Sequence, residues 1–200
     1  HGFSARIGVW STMACAAGGL PRAAGNVLMV EYAPPTAVLA FSGVRGTWTG
    51  SPAQHGTSVP DLAHDVACIK SNNAALGEPC AYSAYEGVWV VGPPRTGTPQ
   101  LTAKTVLVES ILAGPAVVNK RFHAFGTRPA AWSTLTVPLA ASYPVTRDAD
   151  WVVVEETGSA TLHAFSGACG GGFQAEATAG GLAVLAGPDN QAVGMDSAGV

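Results

Sequence analysis

Cys169 lies inside a glycine-rich stretch that reads "FSGACGGGFQ" over residues 165–174. Glycine loses more backbone entropy on ordering than any other residue, so a cluster of it indicates a backbone conformation that other residues cannot adopt. One such conformation is a tight loop whose N–H groups point at a reacting oxygen, beside a thiolate nucleophile. The other is a glycine-rich turn that contains a small buried thiol. On this stretch alone, both interpretations stay open.

A cysteine nucleophile needs a base, and the chain offers five histidines. His55 lies in a polar loop bounded by glycine and proline, and His64 directly precedes Asp65 at the start of an apolar run. Each histidine is as readily a solvated structural residue as a general base. An Asp that opens an apolar strand is commonly a turn or capping residue, so Asp65 has the same two interpretations.

Composition excludes several classes of function. Only 12% of the residues are charged, against about 25% in a typical soluble domain, which favours a globular chain whose surface packs against other molecules. The net charge of −3 and the lack of a basic run argue against nucleic acid as a partner. No apolar run reaches the length of a membrane span, so we expect no membrane partner. Because the chain opens at His1 without a visible signal peptide, we expect that a segment was removed or that a longer polypeptide exists.

The four cysteines do not suggest a metal site or a disulfide framework. They are Cys15, Cys68, Cys80 and Cys169. No CxxC pair occurs among them, and the chain is neither short nor dense in cysteine. We therefore expect mostly free thiols, no metal and no cofactor.

Short runs rich in Val, Leu and Ile, separated by turn residues, predict strands. These runs cover residues 26–32, 36–44, 65–70, 87–92, 104–112, 132–139, 150–156, 181–187 and 191–199. One helical turn fits residues 58–65. A linker rich in proline, glycine and threonine at 92–100 divides the chain into halves, each with enough strands for a small barrel. The tripeptide His-Ala-Phe occurs at 123–125 and 163–165, a match too short to count as a repeat.

The order of four motifs resembles the chymotrypsin-like proteases. "GACGG" (167–171) is similar to the nucleophile loop of that family, with cysteine as in its viral members, and "AVGMDSAG" (192–199) is similar to the strand that follows. "DVACIK" (65–70) is similar to the strand with the catalytic Asp, and "VWVVGPP" (88–94) to the segment after it. The resemblance covers roughly residues 20–200. It implies an all-β fold of two six-stranded antiparallel β-barrels packed together, one over residues 1–95 and the other, with the nucleophile loop, over 96–200.

The resemblance also implies roles for individual residues. Cys169 would be the nucleophile, and the N–H groups of Gly167 and Cys169 would form the oxyanion hole. Asp65 would orient the base as the acid of a triad. His163 would lie near the base of the specificity pocket. Asp196 would take the place of a pocket histidine and favour a basic substrate side chain through charge pairing.

One departure from the family concerns the catalytic histidine, whose position falls on Gly43 in "AVLAFSGV" (37–44). Without a general base such a site loses most of its rate. His55, oriented by Asp65 or Glu86, or His64 would then have to serve as the base. Otherwise the domain is a degenerate protease that is kept for its shape.

Two hypotheses follow for function. The first is a cysteine endopeptidase that acts on a peptide or protein substrate. The second is an inactive protease-fold domain that serves as a structural or interaction module with other copies or capsid-type proteins, for example on a virus particle. The resemblance to viral members suggests the virion or the host cytoplasm as the compartment.

Overall fold

The fold is known from a computed structural model, which describes residues 1–14, 18–32, 37–52, 61–70, 78–93, 97–113, 118–139, 142–177, 183–186 and 192–195. All regular structure in these residues is β-strand, which confirms the all-β class. Two six-stranded barrels are not found among them, because the strands form separate antiparallel sheets of four or two strands. The part of 58–65 that is described contains a strand, not a helical turn. In the described part of the chain, no helix is long and apolar enough to span a membrane.

Four of the sheets are four-stranded meanders, and two are hairpins. The strands are β1 (Gly2–Ser4), β2 (Val9–Ser11), β3 (Leu20–Ala24), β4 (Val27–Tyr32), β5 (Ala37–Ser42), β6 (Thr47–Gly50), β7 (Asp61–Ala63), β8 (Val66–Ile69), β9 (Cys80–Ser83), β10 (Val88–Val91), β11 (Pro99–Leu101), β12 (Thr105–Ala113), β13 (Val118–Thr127), β14 (Ala130–Pro138), β15 (Val145–Asp148), β16 (Trp151–Glu156), β17 (Thr161–Ser166), β18 (Gln174–Ala177), β19 (Ala183–Ala186) and β20 (Ala192–Met195). The meanders β3–β6, β7–β10, β11–β14 and β15–β18 are named blades 1 to 4, because stacked meander sheets of this kind are the unit of β-propellers. The hairpins are β1–β2 and β19–β20.

The blades stack face to face in chain order, with an apolar cluster between each successive pair. The cluster between blades 1 and 2 comprises Val27, Met29, Val38, Ala40, Ala67, Ile69, Cys80, Tyr82, Ala84 and Trp89. The cluster between blades 2 and 3 comprises Val66, Cys68, Ala81, Val106, Val108 and Phe125. The cluster between blades 3 and 4 comprises Leu107, Phe122, Ala124, Val137, Val152, Val154 and Phe165, together with Tyr143 just before blade 4. Alternate residues of a strand point to opposite faces of its sheet. Because a blade between two others buries both faces, the sequences of its inner strands are continuous apolar runs. The predicted boundary at residue 95 falls between two blades that share one such cluster.

A chain of backbone hydrogen bonds fixes how each blade sits on the next. It joins the turns between the first and second strands of successive blades, through Asn26 N–H to His64 O at 2.7 Å, Asp65 N–H to Ala103 O at 2.8 Å and Lys104 N–H to Ala149 O at 2.9 Å. The donors are therefore counterparts, meaning residues at the same place in different blades. Two of these places also carry side-chain contacts between blades, from Asn26 Nδ2 to Asp65 Oδ1 and from Lys104 Nζ to Asp150 Oδ2, each 2.7 Å long.

An aromatic pair on the third and fourth strands marks each copy of a repeat about 40 residues long, within the usual range for blade repeats. The pairs are Phe3–Trp10, Phe41–Trp48, Tyr82–Trp89, Phe125–Trp132 and Phe165–Phe173, with ring centroids 5.1–5.4 Å apart. The hairpin β1–β2 thus corresponds to the third and fourth strands of a blade. The two His-Ala-Phe tripeptides lie at counterpart places on β13 and β17, so the match that sequence analysis dismissed belongs to a structural repeat.

Candidate functional site

The glycine-rich stretch forms the turn between β17 and β18, and this turn occurs elsewhere in the chain without a cysteine. In it, Gly170 has a φ of 67° and donates its N–H to Ser166 O at 3.1 Å. The same five-residue turn ends at Gly8, Gly46 and Gly87, where φ is 68–70° and the hydrogen bond is 2.7–2.8 Å. These copies read "SARIG", "SGVRG" and "SAYEG". The "SGACG" that resembles a nucleophile loop is thus the fourth copy of a turn whose last residue needs a positive φ.

Both N–H groups assigned to the oxyanion hole already have acceptors inside the protein. Gly167 N–H donates to Asp150 O at 2.7 Å, and Cys169 N–H donates to Ser166 Oγ at 3.2 Å. Their counterparts make the same bonds: Gly43 N–H to Asn26 O, Ala84 N–H to Asp65 O, Arg45 N–H to Ser42 Oγ and Glu86 N–H to Ser83 Oγ, at 2.8–3.1 Å. An oxyanion hole requires donors aimed at the reacting oxygen, whereas these two serve the turn.

Close approach of neighbouring atoms or a positive φ explains three of the four glycines of the stretch. A Cβ on Gly167 would overlap Lys104 and Thr105, and a Cβ on Gly170 would overlap Pro129 and lie 2.5 Å from Arg128 O. Gly171 has open space around it but a φ of 88°. Each of these glycines therefore has a structural role that does not depend on chemistry at the thiol.

Cys169 itself is exposed and carries a free thiol. Among the described residues, the hydrogen bond of Cys169 is the one from its backbone N–H to Ser166 Oγ, and none joins its sulfur to a histidine nitrogen. His55, one of the two candidate bases, lies outside the described residues. The other, His64, lies in blade 2, where its Nδ1 is 2.9 Å from Asp65 Oδ1.

The remaining predicted site residues are dispersed. Asp65 is buried in the turn between β7 and β8, where Asn26 and His64 contact its carboxylate, so it acts as the turn residue that sequence analysis kept as one alternative. Glu86 pairs with Arg45 at 2.7 Å on the surface.

Of the two predicted pocket residues, only His163 lies within the described structure. His163 Nε2 contacts Glu156 Oε2 at 3.1 Å, on the face of β17 that also bears Phe165 and packs toward blade 3. Asp196 lies outside the described residues, as does the rest of the "AVGMDSAG" motif (192–199) beyond β20.

The other described cysteines are inert. Cys68 and Cys80 are buried thiols outside any disulfide, as expected for these two, and Cys15 lies outside the described residues. Burial raises the pKa of the Cys80 thiol to about 12, so it stays protonated at neutral pH. In the described part of the chain, no group of three or more His, Cys, Asp or Glu residues is placed to hold a metal ion.

A cleft of about 460 Å³ lies on the face of blade 4 that points away from blade 3, beside the turn that carries Cys169. Its lining comprises Asp150, Trp151, Val153, Ala164, Phe165, Ser166, Ala168, Cys169, Gly170, Gly172 and Gln174. Trp151 pairs with Ser166, and Ala164 pairs with both Val153 and Gln174 across the sheet, so these side chains form one surface. The cleft therefore has a largely apolar floor and polar groups at its rim.

This surface is the counterpart of the faces that are covered in the other blades. Ala40, Ala81 and Ala124 are completely buried, because the aromatic pair of the following blade packs over the same face. Ala164, their counterpart in blade 4, is exposed. Trp151 and Val153, on the same face of β16, are buried. Blade 4 is therefore open at β17 and β18, the part of the face over which blades 1 to 3 bind an aromatic pair.

Sequence analysis found Cys169 in this cleft but missed Ala164, Ser166 and Gln174. The signal was present as the repeated "FS", "YS" or "FG" that precedes each turn, with alanine before it in "AFS", "AYS" and "AFG". Aligning these copies places a small residue at the same position of the third strand in each of the four blades.

Comparison with known proteins does not identify the chain. No protein-family model and no curated protein matches it. One similar solved structure is a chain of the crystal structure of a nidogen/laminin complex, with a TM-score of 0.32 and 14% identity over 88% of this chain and 74% of that chain. A likeness of this strength fixes neither fold nor function.

Proposed function

We propose that this chain is a non-catalytic interaction module that binds protein through the open face of blade 4. The observation that carries the proposal is the exposure of Ala164, whose three counterparts are buried beneath an aromatic pair. Small residues on a flat strand face leave room for a ring, and aromatic side chains dominate the energetics of such contacts. The low content of charged residues, 12%, fits a surface that packs against other proteins.

The partner chemistry follows from the three covered faces. Each of them accepts apolar rings over its alanine, and the faces of blades 1 and 2 also accept an indole N–H hydrogen bond at the fourth strand. A protein segment that presents an aromatic side chain with an N–H donor therefore fits blade 4. The rim groups Ser166 and Gln174 supply polar contacts beside the apolar floor.

Panning a displayed random-peptide library against the folded protein tests this proposal. We expect enrichment of sequences centred on Trp, Tyr or Phe, and loss of their binding in Ala164→Leu, because the added side chain fills the cleft floor. Ile111→Ser, which alters an exposed apolar residue of β12, is the control and should retain binding. Peptides that bind Ala164→Leu as well as the wild type would contradict the assignment of the face.

Cysteine endopeptidase activity is the second candidate, favoured by the exposed free thiol of Cys169 at the rim of the cleft. It requires a base at that sulfur and free N–H donors. Incubating wild type, Cys169→Ala and His55→Ala with a mixed peptide library, and reading the products by mass spectrometry, separates the two functions. We expect no cleavage that depends on either residue, and cleavage abolished by Cys169→Ala would overturn the non-catalytic function.

A further inference from the structure

The hairpin β1–β2 carries an aromatic pair that has the geometry of the others but not their burial. The Phe3 and Trp10 rings are 5.1 Å apart and inclined by 43°, against 5.2 Å and 46° for Phe41–Trp48. Phe41 is fully buried, whereas Phe3 is 46% and Trp10 is 70% exposed. The hairpin therefore presents an aromatic pair that has no blade face beneath it.

Three interfaces in the chain show how such a pair is seated. In each, the indole Nε1–H of the pair donates to a backbone carbonyl on the fourth strand of the preceding unit, at 3.2 Å. The bonds are Trp48 to Ser11, Trp89 to Thr49 and Trp132 to Val90. In each case the acceptor is the residue directly after the aromatic residue of that strand, so the rule is the same at every step.

A second hydrogen bond recurs at the same interfaces. The serine at the end of a third strand donates its hydroxyl to a backbone carbonyl in the turn of the next unit. The bonds are Ser4 Oγ to Gly43 O at 2.5 Å, Ser42 Oγ to Ala84 O, and Ser83 Oγ to Thr127 O at 2.9 Å. Together with the indole bond and a small residue beneath the ring, which is Gly2, Ala40 or Ala81, it defines a complete mode of docking.

Blade 4 has all the receiving groups of this mode. Its floor is Ala164, its serine is Ser166, and the residue after Phe173 is Gln174. The hairpin β1–β2 has all the entering groups, since Phe3 and Trp10 form the pair and Ala5 is the counterpart of Gly43 in the turn. In the described structure, the β17–β18 part of the receiving face and the entering hairpin are both exposed in one copy of the chain.

We propose that the open face of blade 4 binds the β1–β2 hairpin of a second copy of this chain. Phe3 lies over Ala164, Trp10 Nε1–H donates to Gln174 O, and Ser166 Oγ–H donates to Ala5 O. The surfaces on the two copies differ, so the contact is head to tail and adds copies in one direction, as a ring or a filament. The proposal rests on the proposed function, because it names the partner of the same face.

Sedimentation velocity of the purified chain over a wide range of concentrations tests the proposal. We expect the mean mass to rise with concentration. Trp10→Ala and Ala164→Phe should each raise the dissociation constant by about thirtyfold or more, as expected for a central aromatic contact. Ile111→Ser should assemble like the wild type, and circular dichroism of every variant shows whether it is folded.

Mixing the two defective variants gives the sharper result. Trp10→Ala keeps an intact blade 4 face, and Ala164→Phe keeps an intact hairpin, so an equimolar mixture should form a dimer and stop there. Failure of the mixture to dimerise while the wild type assembles would overturn the head-to-tail contact, and so would a wild-type monomer at every concentration. A monomer whose blade 4 still binds aromatic peptides would refute only the self-association, because peptide panning measures the proposed function separately.

Discussion

Replacing Gly170 by alanine tests whether the glycine-rich stretch is a structural turn. The φ of Gly170 is 67°, in the left-handed region, which costs an L-residue about 1–2 kcal/mol. The added Cβ would also overlap Pro129 and the carbonyl of Arg128, and overpacking of this kind costs about 1–3 kcal/mol. We therefore expect Gly170→Ala to lower the free energy of unfolding by about 2–5 kcal/mol.

Matched variants in the same chain separate these two contributions. Gly171→Ala carries the backbone strain alone, since φ is 88° and no atom lies within 4 Å of the added Cβ, and should cost about 1–2 kcal/mol. Gly172→Ala has neither problem, because its nearest neighbour is Ser133 Oγ at 3.7 Å, and should be close to neutral. Gly87→Ala, in the blade 2 copy with a φ of 68°, should fall near Gly171→Ala or slightly above.

Urea unfolding at 25 °C, followed by tryptophan fluorescence, measures all four free energies. The expected order of destabilisation is Gly170, then Gly87 and Gly171, then Gly172. A Gly170→Ala protein as stable as Gly172→Ala would refute the structural role of this turn. It would also restore the interpretation in which the glycines are kept for chemistry at Cys169.

Three further predictions concern the packing between blades and the thiols. Trp89→Phe keeps a ring but leaves Thr49 O without its indole donor, so urea unfolding should show a loss of about 1–3 kcal/mol. Because burial raises the pKa of Cys80 to about 12 in the folded protein, the protonated thiol favours the folded state. This contribution to stability is complete below the pKa of the unfolded thiol and is lost as the pH rises toward about 12. The free energy of unfolding, measured under reducing conditions, should therefore fall more steeply above about pH 9 in the wild type than in Cys80→Ala, by up to roughly 1.4 kcal/mol per pH unit. Iodoacetamide should alkylate Cys169 in the folded protein and Cys68 only after unfolding, as read by mass spectrometry, since Cys169 is exposed and Cys68 is buried; equal rates would contradict the described burial.

The strand runs were predictable because they depend on local pattern. Seven of the nine predicted runs coincide with strands, for example 65–70 with β8 and 150–156 with β16, and the described parts of 181–187 and 191–199 are β19 and β20. Four of the nine are the second strands of the blades, β4, β8, β12 and β16, which are largely buried and read as continuous apolar segments. The third strands β9 and β17 escaped prediction because "CAYS" and "TLHAFS" alternate small, polar and aromatic residues. The small residue Ala81 of β9 is explained by the ring of the next blade that packs over it, and Ala164 of β17 has the same place in the repeat.

Three of the four motifs that resemble the proteases coincide with parts of the repeat. "DVACIK" contains the second strand and "VWVVG" the fourth strand of blade 2, and "GACGG" is the turn after the third strand of blade 4. Local sequence cannot distinguish a turn whose N–H groups face a substrate from one whose N–H groups face Asp150 O and Ser166 Oγ. That difference depends on which neighbour the folded chain brings to the donor.

By itself, the sequence determined the β class, most of the buried strands, the glycine positions and the free state of the two buried thiols, because each depends on the conformational preference or burial of single residues. Only the tertiary structure decided that the strands form stacked blades, that Asp65 and Cys169 lie in different blades, and that Ala164 is open while Ala124 is covered. Ala124 and Ala164 have the same local sequence but differ in burial, because burial depends on which sheet packs over the strand. The sequence of one strand does not determine that packing partner.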